Sequence, residues 1–264
     1  MSDPTSVIDD LREESEELDA LVARSEPEAW RLATPAPGWT IAHQIAHLAW
    51  TDRAALLAVT DEEGFRGKVE EALAAPDRYV DEGAEDGARQ APDELLAGWR
   101  AGRGALDKAL REAPAGARFP WYGPPMAVAS MATARLMETW AHGLDIADAL
   151  GVGRPPTDRL RHVARIGVRA RDFAYAVHGL TPPADQFRVE LTSPSGAPWA
   201  YGPEGAPQRV TGPALDFCLL VTQRAHRADL ALAAEGPDAD RWLDIAQAFA
   251  GPPGQGRKPK GAGR

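Results

Sequence analysis

The sequence predicts a mainly α protein, with an N-terminal four-helix bundle and a small C-terminal α+β domain. Three observations support this fold class. Apolar residues recur at helical spacing through the first 150 positions. A Gly/Pro-rich break follows at 151–157, and the good strand signals, with period-two alternation at 187–192, lie beyond it. The chain has 264 residues, 44% of them hydrophobic, which is enough for two modest cores.

Four long helices make up the predicted bundle. Thr40 suits the N-cap of the second helix and Ser130 that of the fourth, because their hydroxyls can accept hydrogen bonds from free N–H groups of the first turn. Gly151 can end the fourth helix. The connection at 60–91 is acidic and broken by Gly and Pro, which predicts a short helix within a long crossing. The four helices are predicted at 7–24, 40–59, 92–111 and 130–150.

The segment after the break predicts a helix, a β-hairpin, a third strand and two further helices. The hairpin pairs 187–192 with 197–201 through a turn at Ser195 and Gly196. The other elements are predicted at 157–178, 208–211, 213–227 and 238–250. We therefore expect domains at 1–151 and 157–251, followed by a flexible tail at 252–264.

Charge and cysteine content narrow the class of protein. The formal net charge is -10 and the sequence pI is about 5.1, which argues against a nucleic-acid partner. Cys218 is the single cysteine, so an intrachain disulfide is excluded and a reducing compartment fits. The N-terminus lacks the basic start and apolar run of a signal peptide, and no apolar run is long enough to predict a membrane span. We expect a cytoplasmic monomer or homodimer that acts on a small molecule.

The fourth helix carries the most informative polar residues. Glu138 and His142 are four residues apart, so on a helix they share one face, and Asp145 continues the same stripe. Their neighbours on this face, such as Met131 and Ile146, are mostly apolar. A carboxylate and an imidazole buried together require mutual pairing or a metal ion to offset their desolvation. Both alternatives, a structural ion pair and a metal site, remain open from this pair alone.

The second helix offers a third ligand. His47 lies among small uncharged residues, and facing helices of a bundle can bring it to Glu138 and His142. Two histidines, one carboxylate and a free position are typical of a catalytic metal site, but this ligand set suits zinc, nickel and iron alike. His43 is an alternative ligand that we favour as a residue of the cleft.

Two segments resemble a known family. The run Pro37-Gly-Trp-Thr-Ile-Ala-His-Gln-Ile-Ala-His-Leu48 and the later Glu138-Thr-Trp-Ala-His142 resemble the DinB-like metal-binding bundles, above all the branch with the mycothiol-dependent maleylpyruvate isomerases. The resemblance implies a zinc ion held by His47, Glu138 and His142, and mycothiol as cosubstrate. The second half is similar to the sterol-carrier-like C-terminal part of those isomerases, where an arginine serves substrate binding or catalysis. Arg224 is the best match for that arginine.

Three functions are compatible with this reading. The first is a mycothiol-dependent transferase or isomerase in which Arg224 holds a substrate carboxylate. The second is a hydrolase or lyase that uses metal-bound water, with His43 or Asp145 as general base. The third is a non-catalytic protein that binds a metal or a hydrophobic small molecule. Its apolar cleft would be formed by Trp39, Trp50, Trp121 and Trp140.

Overall fold

The computed structural model describes residues 4–74, 78–251, 253–254 and 256–261. Positions 252, 255 and 262–264 of the predicted tail lie outside the described residues. The chain divides into two compact units, Met1–Arg154 and Pro155–Arg264. In the described residues, the regular structure of the first unit is helices and one short hairpin, and the second combines helices with a four-stranded sheet. A mainly α fold with a small C-terminal sheet region is therefore confirmed. Among the described residues, no helix is both long and apolar enough to cross a membrane.

The helices of the N-terminal unit are α1 (Thr5–Val22), α2 (Ile41–Thr60), α3 (Glu62–Ala74), α4 (Tyr79–Ala88), α5 (Pro92–Glu112) and α6 (Val128–Leu150). A short 3₁₀ helix spans Pro27–Arg31, and a hairpin of β1 (Arg118–Phe119) and β2 (Met126–Ala127) precedes α6. The unit is built around α2, which packs against α4, α5 and α6, while α1 packs against α5 and α6. Its centre is apolar and includes Ile41, Ile45 and Leu48 from α2 and Trp99 from α5, all with 0% exposure.

The crossing between α2 and α5 differs from the prediction. It holds two helices, α3 and α4, rather than one short helix. α4 packs closely on α2 through glycines, because a Cβ at Gly83 would lie 2.9 Å from the Trp50 ring and one at Gly87 would lie 2.7 Å from the Ala46 Cβ. Gly83 and Gly87 were part of the pattern that predicted a broken connection, but in the structure they allow α4 to approach α2 closely.

Two of the three predicted helix ends are confirmed. Thr40 is the N-cap of α2, where its side chain and that of His43 form a reciprocal capping box. Gly151 ends α6 in the left-handed conformation, with φ of 66°. Ser130 is not the N-cap of α6, however. The helix begins at Val128 with the extended Ala127 as its N-cap, because the β1–β2 hairpin leads directly into the first turn.

The strands of the C-terminal unit are β3 (Phe187–Thr192), β4 (Pro198–Tyr201), β5 (Gln208–Pro213) and β6 (Ala233–Glu235). They form a sheet with the order β4-β3-β5-β6. The predicted hairpin is confirmed, and β5 pairs with β3 in parallel. The strand β6 was not predicted, since its three residues are too few for a clear alternation. The helices are α7 (Leu160–Arg169), α8 (Arg171–Val177), α9 (Ala214–Val221) and α10 (Pro237–Ile245).

Three helices predicted for this unit are shorter or divided in the structure. The helix predicted at 157–178 divides at Ala170, where the backbone leaves helical geometry. The helix predicted at 213–227 ends at Val221, and Gln223 then adopts a positive φ of 57°. The last helix ends at Ile245 rather than near position 250, because Ala246 is extended.

Candidate metal centre

Three side chains from two helices meet in the N-terminal unit. His47 comes from α2, and Glu138 and His142 lie one turn apart on α6. The Nε2 atoms of His47 and His142 are each 3.1 Å from the same atom, Glu138 Oε2. One potential ligand atom from each residue lies within 4.8 Å of the other two. The structure thus brings together the three residues that the sequence predicts as metal ligands.

The electrostatics of the cluster favour an ionised carboxylate. Burial opposes the charge on Glu138, but hydrogen bonds with His142 and His47 outweigh it and hold the pKa of Glu138 well below its usual range. Two imidazole nitrogens beside one carboxylate oxygen are a donor set that suits zinc and leaves a further position for an exogenous ligand. The cluster therefore fits a divalent metal. Its chemistry does not discriminate zinc from nickel or iron.

The two histidines differ in how their second ring nitrogen is held. His142 Nδ1 lies 2.5 Å from the Oε1 atom of Gln44, a side chain with 0% exposure. His47 Nδ1 is buried and has no hydrogen-bond partner among the described residues. Within the described structure, His142 is therefore the one of the two whose second ring nitrogen is held by a protein group, in the usual manner of a metal-binding histidine. Gln44 was not recognised in the sequence, although a polar residue on the buried side of α2 was a usable signal.

Aromatic side chains surround the cluster on one side. The Trp39 ring stacks on His142 with a centroid distance of 5.9 Å and lies 5.3 Å from His47. Trp50 lies 6.2 Å from His47, and further ring contacts extend the aromatic cluster away from the ligands. These additional members are Phe65, Tyr79, Trp121 and Tyr122. Within the described part of the chain, Trp140 makes no ring contact with this cluster, so the structure groups three of the four tryptophans that were predicted to form a cleft.

His43 lies at the edge of the site and has contacts at both ring nitrogens. Nδ1 accepts a hydrogen bond from the Thr40 backbone N–H and lies 2.8 Å from the Thr40 hydroxyl, whereas Nε2 lies 2.8 Å from Glu85 of α4. The hydrogen bond with His43 is the main cause that lowers the pKa of Glu85. His43 is thus a helix-capping residue that also joins α2 to α4, and it lines a surface groove with Trp39 and Asp81.

The two other predicted catalytic residues have different settings. Asp145 is on α6, three residues after His142, and is only 2% exposed. Arg224 belongs to the C-terminal unit, where it follows α9 and donates a hydrogen bond to the Thr222 carbonyl oxygen. The nearby His226 caps a 3₁₀ helix, Arg227–Asp229, by accepting from the Ala228 N–H. The roles of Asp145 and Arg224 remain predictions.

The fold and the site define a mainly helical protein with a His-Glu-His cluster that could hold a metal ion. A model of the mycothiol maleylpyruvate isomerase N-terminal domain matches residues 11–147, and the chain belongs to this family. A second family model, described as wyosine base formation, matches residues 183–235 of the C-terminal unit.

Relatives and solved structures are similar to this chain over most of its length. Two uncharacterized proteins from two strains of Mycobacterium tuberculosis are each 60% identical over 257 residues, covering 97% of this chain and all of theirs. The crystal structure of the mycothiol-dependent maleylpyruvate isomerase is similar with a TM-score of 0.61, and that of a histidine-to-alanine mutant with 0.62. In both cases the identity is 17%, and the similarity covers 90% of this chain and 96% of the other. At this identity the structural match shows the fold.

Proposed function

We propose that this protein is a zinc-dependent isomerase or S-transferase that uses mycothiol as cosubstrate and acts on a small carboxylate-bearing substrate. The observation that carries the proposal is the convergence of both imidazole Nε2 atoms on one oxygen of Glu138. Membership of a family named for mycothiol maleylpyruvate isomerase supports the choice of thiol and of reaction class.

The residues of the cluster have complementary roles in this proposal. His47, Glu138 and His142 would hold the ion, and nickel or iron would suit the same donors. The bound ion supplies positive charge that keeps a coordinated thiol deprotonated at neutral pH. Trp39 and Trp50 cover the imidazoles and limit the access of water from their side. Arg224 is proposed to bind the substrate carboxylate, because a guanidinium can donate two parallel hydrogen bonds to it.

Hydrolysis by activated water is the less favoured reaction. A general base must be free to accept a proton from water. His43 would first have to give up a contact with Thr40 or Glu85, and Asp145 is almost fully buried. A metal ion lowers the pKa of bound water as well, but a thiol starts from a lower pKa and is ionised more completely, so thiol chemistry depends less on a general base than hydrolysis does.

Metal content is the first test. We expect about one zinc, nickel or iron ion per chain in the purified protein by elemental analysis, and none in a His47→Ala/Glu138→Ala/His142→Ala triple variant. His178→Ala, which removes an exposed histidine of the C-terminal unit, is the matched control and should retain the metal. Wild-type protein that stays metal-free after incubation with divalent ions would refute the metal site.

The thiol is tested separately on cobalt-loaded protein. Mycothiol should produce a thiolate-to-cobalt absorption band, and an inositol-glucosamine conjugate without the thiol should not. If the protein binds metal but shows no band with mycothiol, the thiol assignment is wrong while the metal site stands.

A further inference from the structure

A chain of hydrogen bonds runs from the loop before α2 to the candidate metal site. The Trp39 carbonyl oxygen accepts from the hydroxyl of Thr34 at 2.9 Å. The Gln44 Nε2 atom donates to Thr34 Oγ1 at 2.8 Å, and the Gln44 Oε1 atom faces His142 Nδ1. These hydrogen bonds therefore connect His142, a candidate metal ligand, to the loop that carries Trp39.

The chemistry of each group fixes the direction of every bond in this chain. A carbonyl oxygen can only accept, so Thr34 uses its single hydroxyl proton on Trp39. Thr34 can then only accept from Gln44, which turns the amide NH₂ toward Thr34 and the amide oxygen toward His142. His142 must therefore carry a proton on Nδ1. The Nε2 atom is left as the ring position at which a metal ion can replace a proton beside Glu138.

We propose that Gln44 is a positioning residue of the metal site, which holds His142 in the form protonated at Nδ1 and directs Nε2 to the ion. This inference rests on the proposed metal site, but it assigns a role to a residue outside the ligand set. Gln44 is fully buried, so water has no access to take the place of its amide oxygen. Loss of that oxygen would leave the His142 Nδ1–H group without an acceptor, which costs free energy. His47 Nδ1 has no equivalent partner among the described residues, so of the two ligand histidines it is His142 whose ring is oriented through Nδ1.

The same hydrogen bonds also hold Trp39, the aromatic residue that packs on the site. Trp39 accepts the terminal hydrogen bond through its carbonyl oxygen, and its ring stacks on His142 at 5.9 Å. Its indole N–H donates to Asp81 of α4 at 3.1 Å. One loop residue thus anchors the hydrogen-bond chain and packs on the imidazole that the chain orients. Removal of Gln44 should disturb the ligand geometry more than the fold.

The first readout is independent of the metal. In a Glu138→Ala variant, no carboxylate competes with Gln44 for a proton of the His142 ring. At about pH 8.5, where imidazoles are neutral, ¹⁵N NMR then shows which ring nitrogen carries the proton. We expect His142 to be protonated at Nδ1 in this protein, and to become a mixture of tautomers when Gln44→Met is added. A His142 protonated at Nε2 with Gln44 intact would overturn the proposal.

The second readout is the zinc dissociation constant of otherwise wild-type protein, measured by competition with a chelator. Gln44→Met keeps the side-chain length but removes the acceptor, and should weaken zinc binding about 10–100-fold. Gln44→Glu restores an acceptor for Nδ1–H and should bring the affinity back to within about threefold of wild type. A purely structural role predicts the opposite, since a buried carboxylate perturbs packing at least as much as methionine does.

The outcomes separate the two proposals. Equal zinc affinity in wild type and Gln44→Met, or failure of Gln44→Glu to restore it, contradicts the role of Gln44. If Gln44→Met does not fold, the NMR result in the Glu138→Ala protein and the affinity of Gln44→Glu still decide the question. If the wild type binds no metal at all, the proposed function fails, and the tautomer result alone tests the Gln44–His142 pair.

Discussion

At the residue scale, two pairs of polar side chains join α2 to α6. His47 and Glu138 link α2 to α6, and so do Asp52 and Arg135, whose Nε–Oδ1 distance is 2.8 Å. Asp52 and Arg135 are 4% and 2% exposed, and Trp99 also donates to Asp52. Arg135 lies on α6, the helix that carries Glu138 and His142. The ion pair with Asp52, which comes from a helix distant in sequence, offsets the cost of burying its charge.

The Asp52–Arg135 pair gives a prediction about stability. Asp52→Leu leaves a buried guanidinium without its carboxylate and should lower the free energy of unfolding by about 3–5 kcal/mol. Replacing both residues, as Asp52→Leu/Arg135→Met, should recover part of this loss, because the unpaired buried charge is removed while the Trp99 indole N–H still lacks its acceptor. Urea denaturation of the two variants and the wild type measures the difference. A double variant as unstable as the single one would show that the ion pair is not the source of the loss.

At the scale of elements, α4 is the least expected part of the bundle and the one that borders the site. It supplies Asp81 to the Trp39 indole and Glu85 to His43. Its position depends on Gly83 and Gly87, which face α2 without a side chain. Helix propensity alone disfavours both glycines, so the sequence suggested a broken connection. The close packing of α4 on α2 explains why they are tolerated.

Gly87→Ala tests this packing. The new Cβ would meet the Ala46 Cβ at 2.7 Å, and overpacking of this kind should cost about 1–3 kcal/mol despite the gain in helix propensity. Gly98→Ala is the matched control on α5, because no atom lies within 4 Å of its added Cβ. The control should stabilise the protein by about 0.5–1 kcal/mol. Thermal unfolding of both variants gives the comparison, and equal shifts would argue against tight α4–α2 contact.

At the scale of the whole molecule, the two units differ in their contribution to the proposed reaction. The potential metal ligands all belong to the N-terminal unit, whereas Arg224 belongs to the C-terminal unit with the four-stranded sheet. Metal binding and substrate binding should therefore respond separately to mutation.

Arg224→Ala should keep the metal content of the wild type, because it alters no ligand. It should lower turnover of a carboxylate-bearing substrate by about 100-fold or more, through the loss of a charged hydrogen-bond donor. Elemental analysis and steady-state kinetics with mycothiol measure the two effects, and Arg224→Lys should restore only part of the activity. Normal turnover in Arg224→Ala would refute the assigned role.

The sequence by itself was sufficient for features that depend on local spacing. The helical repeat of apolar residues predicted the long helices, and Thr40 and Gly151 predicted two of their ends. The i, i+4 spacing placed Glu138 and His142 on one helix face. The alternation at 187–192 gave the hairpin of the second unit. These features are decided within a few residues of each other, where backbone geometry alone sets which side chains are neighbours.

Only the tertiary structure decided the contacts between elements distant in the chain. His47 meets Glu138 across 91 positions, Gln44 meets His142 across 98, and Arg135 finds Asp52 across 83. The motif resemblance named the first of these pairings but gave no partner for Gln44 or Arg135. Helix packing selects such pairs through the summed burial of many side chains, so local pattern does not reveal them. The physical reason is that a buried polar group needs a partner, and the sequence shows the need without showing which group meets it.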